Sequence, residues 1–448
     1  MARQLFGTDG IRGVAGEHPL DAPTVHAFGM ALGSVARHLS ANPEVAIGMD
    51  TRESGAWLAA QVAGGLARRG VGVQFAGVVT TPGIACLTRT GPFVAGVVIS
   101  ASHNPYRDNG LKVFGHSGYK LPDPEEHAME EEIFRLLGNG IDPVSAHLVE
   151  DASLDRRYLE YLVSTTSVSL EGMRLVLDCG NGAAYRLGPE LFRRVGATVD
   201  TMGDSPDGRN INLDCGALHV EGLRKRVVET RADAGVAFDG DADRAIFVSG
   251  SGRIVDGDAV LLVAARALRA SGRLAGDTVV ATVMSNLGLE QALQREGVRL
   301  LRTPVGDKYV LEEMVRTGAV LGGEQSGHVI FREHATTGDG LLTALRVFEI
   351  VRRSGGSLDD LVADLKVFPQ RLENVRVREK KPLEQMPAVA SEIRACERLL
   401  NGSGRVLVRF SGTEPVIRVM VEAVEPEMVT RVTERIVAAI RRETGAEA

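Results

Sequence analysis

Short apolar runs that end in polar turns recur along this chain. VAIGMD at 45–50, RLVLD at 174–178 and TVVATV at 278–283 each read as a buried strand. After each comes a polar turn, a segment with helical spacing and a second apolar run: 54–69 then 71–75, 187–195 then 198–201, and 287–296 then 298–303. The helices end near Gly70, Gly196 and Gly297, where a left-handed C-terminal cap is expected. Apolar strands alternating with helices predict parallel α/β layers, built three times over. The end of the chain follows another pattern. Strands are expected at 371–377, 405–410 and 416–423, with a helix between the first two. A last helix over 427–442 spaces Met428, Val432, Ile436 and Ile440 along one face. An acidic helix over 122–137 closes the first unit, and 138–153 reads as a connector rich in Gly, Asp and Pro. The expected domains are 1–150, 151–250, 251–365 and 366–448, the last a smaller α+β domain.

Composition narrows the function classes. At 448 residues the chain is too long for one core. A net charge of −7 with scattered basic residues, and only 4% aromatics, argue against nucleic acid as the main partner. Cys86, Cys179, Cys215 and Cys396 form no CxxC pair, so a zinc site is not expected and a reducing compartment is. No signal-like segment opens the sequence and no run approaches a membrane span; the expectation is a cytoplasmic protein without membrane contact.

Four stretches carry chemistry. In AFDGDADR, Asp239, Asp241 and Asp243 alternate with small residues after an apolar strand. In an extended segment their side chains share one side, and three like charges there call for a hard cation such as Mg²⁺ or Ca²⁺. The EF-hand pattern fails, because Arg244 and Gly250 stand where Gly and Glu are required. In VVISASHNP, a strand delivers Ser100 and Ser102 to the carboxyl edge of a sheet, where open α/β folds bind ligands. Taken alone this stretch reads equally as a Ser/Asn/Pro turn. In VRFSGTEPVIRVM, Ser411, Gly412 and Thr413 lie between Arg409 and Arg418, a set suited to phosphate or to a plain hairpin. GGEQSGH offers Glu324, Ser326 and His328 in a glycine-rich loop, and TPVGDKY at 303–309 follows another strand. A rival signal is Gly180-Asn-Gly182 with Asp200 further on, a partial dinucleotide fingerprint in which Tyr185 replaces the third glycine.

Together these stretches resemble the α-D-phosphohexomutase superfamily, one motif per domain and in the family's order. SASHNP resembles its phosphoserine loop, DGDADR its magnesium loop, GEQSGH its sugar loop and RFSGTEP its phosphate loop. LFGTDGIRG, Gln325 and HATTGDG at 334–340 are similar to the bacterial amino-sugar branch. The resemblance spans the chain and implies a four-domain phosphohexomutase architecture: three related α/β domains with mixed sheets and a smaller α+β domain. It implies isomerisation of glucosamine 6-phosphate and glucosamine 1-phosphate for UDP-N-acetylglucosamine synthesis. Glucosamine 1,6-bisphosphate would be the intermediate and glucose 1,6-bisphosphate an activator. By position, Ser102 is the phosphorylated serine and shares Mg²⁺ with Asp239, Asp241 and Asp243. Lys112, beside cations and with a lowered pKa, is the first candidate for general acid or base, and His328 the second. Arg12 and Arg244 would stabilise the transferred phosphate. Arg409, Ser411, Gly412, Thr413 and Arg418 would hold the other phosphate, and Glu324 and Ser326 the sugar hydroxyls. A homodimer is a further family expectation. Phosphoglucomutase or phosphomannomutase activity, a phosphosugar-binding protein without chemistry, and a dehydrogenase remain as alternatives.

Overall fold

Each of the first three sheets is built around three parallel strands whose interior positions are apolar. The computed structural model describes residues 4–7, 9–378, 382–410 and 415–445. In the first sheet the order is Ile11–Val14, Asp108–Gly115, Ala95–Ile99, Glu44–Met49, Gly72–Val78. The second runs Ile254–Val255, Ala245–Ser249, Ala234–Phe238, Arg174–Asp178, Thr198–Met202. The third runs Val329–Phe331, Leu321–Gly323, Thr278–Thr282, Arg299–Thr303. In all three the last three strands are parallel, and an antiparallel neighbour folds back on the first of them. The sheets are therefore mixed. Ala95–Ile99, Ala234–Phe238 and Thr278–Thr282 are buried at every position, as strands covered on both faces must be.

Helix ends follow local chemistry. Asp21, Thr80, Asp256 and Asp339 each accept a backbone N–H as N-caps. Gly70, Gly196 and Gly297 have φ of 69°, 97° and 68°, the left-handed cap expected from the sequence. The stretch predicted as a connector gives way to helix Ala152–Ser164, which buries Leu154, Tyr158, Leu159 and Leu162. The four cysteines are free. Among the described residues no helix is long and apolar enough to cross a membrane.

The chain divides into two compact units: 1–284 with 298–363, and 285–297 with 364–448. The second unit holds an antiparallel sheet ordered Gln370–Arg376, Val416–Ala423, Gly404–Phe410, with helices Pro387–Leu400 and Pro426–Thr444. Val432, Ile436 and Ile440 are buried in its core and Met428 packs against it. Helix Leu287–Arg295 joins the parallel strands Thr278–Thr282 and Arg299–Thr303 as the third α/β repeat expects, and by its contacts it groups with this unit. The cause lies in side-chain bonds. Asn286 exchanges hydrogen bonds with the Phe368 backbone at 3.0 and 2.9 Å, and Glu422 accepts Leu287 N–H at 3.3 Å. A side chain at Gly288 would lie 1.9 Å from the Lys366 carbonyl, so glycine permits the contact.

Candidate active site

The three motif loops occupy equivalent places. SASHNP leaves Ala95–Ile99, DGDADR leaves Ala234–Phe238 and GEQSGH leaves Leu321–Gly323. Each is the strand from which the sheet turns back, and each loop starts at its carboxyl end, the usual ligand edge of such sheets.

Ser102 is buried and takes φ 53°, a left-handed conformation that a non-glycine residue adopts only under constraint. Its Oγ donates to Asp239 Oδ2 at 2.5 Å and lies 3.2 Å from His103 Nδ1. Burial, then Arg244 and Arg12, push the His103 pKa down to about 4, so the ring is neutral at pH 7. Ser100 is engaged otherwise. Its Oγ donates to Asp50 Oδ2 at 2.6 Å and accepts Ser102 N–H at 2.9 Å.

Asp239, Asp241 and Asp243 are buried, and one oxygen from each lies within 4.8 Å of the others. The expected extended segment is absent. Ala242 N–H donates to the Asp239 carbonyl at 3.0 Å and Ala242 has φ 55°, so the carboxylates converge because the loop turns. Burial, then Asp243 and Asp241, raise the Asp239 pKa well above the carboxylate range. Asp241 Oδ1 and Asp243 Oδ1 are buried without a hydrogen-bond partner. Hard oxygens, crowded negative charge and orphaned lone pairs fit a divalent cation.

Around this cluster charges alternate. Lys112, buried, donates to Asp241 at 2.8 Å and lies 3.1 Å from Asp9 and 3.7 Å from Asp243. Its surroundings differ from the expected cations. Burial alone would lower its pKa, but Asp241, Asp9 and Asp243 outweigh it and raise it. Asp9 also pairs with Lys120, which pairs with Asp307. His328 Nδ1 faces Asp243 at 3.6 Å, and Nε2 lies 3.7 Å from Asp307 and accepts Gly338 N–H at 3.0 Å. Burial opposes charge on His328, while Asp243 and Asp307 favour it and raise its pKa. Arg12 donates to Asp9 at 2.5 Å, and Arg244 lies 3.8 Å from Asp243. The Nε of each is buried without a hydrogen-bond partner. Asp9, Lys120 and Asp307 escaped the sequence reading although they sit in the quoted TDG and GDK stretches and between them.

Glu324 accepts Gly306 N–H at 3.3 Å, and Ser326 is exposed on the same loop. In the second unit Arg409 stands directly opposite Arg418 across paired strands. Burial, then Arg418, lowers the Arg409 pKa. Like charges opposed this way repel, and Arg418 Nε is buried without a hydrogen-bond partner. Ser411, Gly412 and Thr413 lie outside the described residues. The dinucleotide rival finds no room. A side chain at Gly182 would meet the Gly240 carbonyl at 2.4 Å, so the metal loop's own backbone fills the glycine turn. Asp200 is engaged by Arg226 at 2.7 Å.

Family sequence patterns described as phosphoglucomutase/phosphomannomutase match four stretches: alpha/beta/alpha domain I at 3–137, domain II at 156–252, domain III at 256–368, and the C-terminal domain at 372–439. A phosphoglucosamine mutase of Solibacter usitatus (strain Ellin6076) is 65% identical over 445 residues, covering 99% of this chain and 100% of that protein. A phosphoglucomutase/phosphomannomutase family protein from Burkholderia thailandensis superposes with a TM-score of 0.80 at 25% identity, over 98% of each chain. Aspergillus fumigatus N-acetylphosphoglucosamine mutase, solved in complex with GlcNAc-6P and magnesium, shares the fold with a TM-score of 0.64 at 19% identity, over 98% of this chain and 96% of that one.

Proposed function

This chain belongs to the phosphoglucosamine mutase family, and on that premise we propose that it interconverts glucosamine 6-phosphate and glucosamine 1-phosphate through a phosphorylated Ser102. The observation that carries the reading is the Ser102 hydroxyl, 2.5 Å from Asp239 at the edge of the three-aspartate cluster. Asp239, Asp241, Asp243 and Ser102 are the residues that would hold Mg²⁺, which would supply charge neutralisation during phosphoryl transfer.

The residues then divide the work. A substrate hydroxyl oxygen attacks the phosphorus on Ser102 as the bond to Ser102 Oγ breaks. The substrate hydroxyl gives up its proton as it attacks and Oγ takes one up as it leaves; in the reverse transfer Oγ gives up that proton and the departing sugar oxygen takes one up. Lys112 is the proposed proton carrier by its place against Asp241, Asp9 and Asp243; because these carboxylates raise its pKa and hold it as an ammonium, its part is to give a proton to a departing oxygen and not to act as a base. His328 faces Asp243 with one nitrogen and accepts a backbone amide with the other, which favours a role in orienting Asp243. Arg12 and Arg244 face the transferred phosphoryl group. Arg409, Ser411, Gly412, Thr413 and Arg418 grip the phosphate that stays, and Glu324 and Ser326 hold ring hydroxyls. Glucosamine 1,6-bisphosphate is the intermediate between the half-reactions, and glucose 1,6-bisphosphate would charge Ser102. The product would feed UDP-N-acetylglucosamine synthesis in the cytoplasm. The proposed modules run 1–150, 151–250, 251–365 and 366–448, and the proposed assembly is a homodimer.

Steady-state kcat/KM with glucosamine 1-phosphate, glucose 1-phosphate and mannose 1-phosphate, with and without Mg²⁺, tests the reading. Glucosamine 1-phosphate should be preferred and turnover should require Mg²⁺. Preference for glucose or mannose 1-phosphate would assign the sister activity, and binding without turnover would make the chain a phosphosugar-binding protein.

A further inference from the structure

Behind the serine loop lies a buried arginine that the reaction does not use directly. Arg52 and Asp50 follow strand Glu44–Met49, and both side chains are 0% exposed. A guanidinium has five N–H donors in one plane, and here all five are engaged. Nε donates to Asp50 Oδ2 at 2.8 Å. One terminal nitrogen donates to the carbonyls of Pro105 and, at 2.9 Å, Asp108. The other donates to the carbonyls of Ser102 at 2.8 Å and Asn104 at 2.9 Å. The loop is thus wrapped around one cation, with its carbonyls turned inward. Asp50 completes the assembly by holding Ser100 Oγ, which in turn accepts Ser102 N–H. Asn212, from the second α/β repeat, donates to the same Ser102 and Asn104 carbonyls at 3.0 and 3.4 Å.

We propose that Arg52 is the positioning residue for the phosphoryl carrier: it holds the 102–108 loop in the conformation that imposes φ 53° on Ser102 and aims its Oγ at Asp239, while Asp50 withdraws Ser100 from competition. Two features support this over simple packing. The bonds go to the backbone carbonyls of Ser102 itself and of Asn104, Pro105 and Asp108 after it, so they fix main-chain torsion and not merely volume. Their planar fork cannot be reproduced by an ammonium, which is a point donor with three hydrogens. The inference rests on Ser102 being the carrier.

The test compares full-length wild type with Arg52→Lys and Asn212→Ala. Three quantities are read: KM for glucosamine 1-phosphate, kcat, and the rate at which glucose 1,6-bisphosphate phosphorylates the dephosphorylated enzyme, followed by intact mass. Arg52→Lys should keep KM within about threefold, while kcat and phosphorylation rate fall together by roughly a hundredfold, as for a reacting group misplaced by about 1 Å. Asn212→Ala should show the same split with a smaller fall. Unchanged kcat in folded Arg52→Lys would overturn the proposal, as would KM and kcat worsening in parallel. If Arg52→Lys does not fold, Asn212→Ala decides: a fall in kcat alone sustains the proposal, and no fall or a parallel one overturns it. Wild type that never gains phosphate would condemn the carrier reading itself, whereas normal wild type beside an unaffected variant condemns only the role of Arg52.

Discussion

Two loops that meet at Ser102 are built on opposite principles. The 100–108 loop is closed on itself: every donor of Arg52 has an acceptor, and Ser100 both donates and accepts. The 239–244 loop is left open: Asp241 Oδ1 and Asp243 Oδ1 are buried with no hydrogen-bond partner, and burial, then Asp243 and Asp241, raise the Asp239 pKa. Buried polar atoms are ordinarily satisfied, so an orphaned pair marks a place where something else binds. A group that must stay still is surrounded by fixed partners, and a group that must take up a ligand keeps its lone pairs free. The same contrast holds in the second unit, where Arg409 and Arg418 face each other across a strand pair that gains nothing from their repulsion.

The comparison breaks most visibly at Asp239. Asp239→Asn removes a ligand from the open loop, and activity should fall by about three orders of magnitude or more. In EDTA the same variant should melt no lower than wild type, because one of three crowded charges is gone. Added Mg²⁺ should raise the melting temperature of wild type and not of the variant, as calorimetry would read. A variant that melts well below wild type in EDTA would mean that the bonds Asp239 accepts from Ser102 Oγ and Arg244 N–H hold the loop together without a cation. A smaller effect is expected at Ser100→Ala, in the closed loop. It leaves Asp50 and Ser102 N–H each short of one partner, costing about 1–3 kcal/mol of stability by denaturant unfolding. The variant should still carry phosphate and turn over; complete loss of both would give Ser100 a chemical role.

Much of this was legible in the sequence, for physical reasons. Parallel strands buried on both faces read as unbroken apolar runs, and VAIGMD, RLVLD and TVVATV are such runs. Glycine caps and polar strand ends located the turns. The convergence of Asp239, Asp241 and Asp243 was anticipated through an extended geometry that the chain does not adopt, because a positive φ at an alanine leaves no mark in composition. Arg52 and Asp50 were passed over although they end an apolar strand as Ser100 and Ser102 do. Their role appears only once carbonyls from four other residues close on the guanidinium. The surroundings of Lys112 were misjudged because Asp9 and Asp241 reach it from distant parts of the chain. Helix Leu287–Arg295 reads as part of a third repeat by spacing, and it does join that repeat's parallel strands; its bonds through Asn286 to Phe368 left no mark in the spacing.

The central claim is that Ser102, held by the closed loop and facing the open one, carries the phosphoryl group. Site-resolved phosphopeptide mass spectrometry after incubation with glucose 1,6-bisphosphate and Mg²⁺ tests it most directly. The account predicts phosphate on Ser102 and none on Ser100, with the signal abolished in Ser102→Ala; phosphate on Ser100, or a full signal that survives Ser102→Ala, would contradict it.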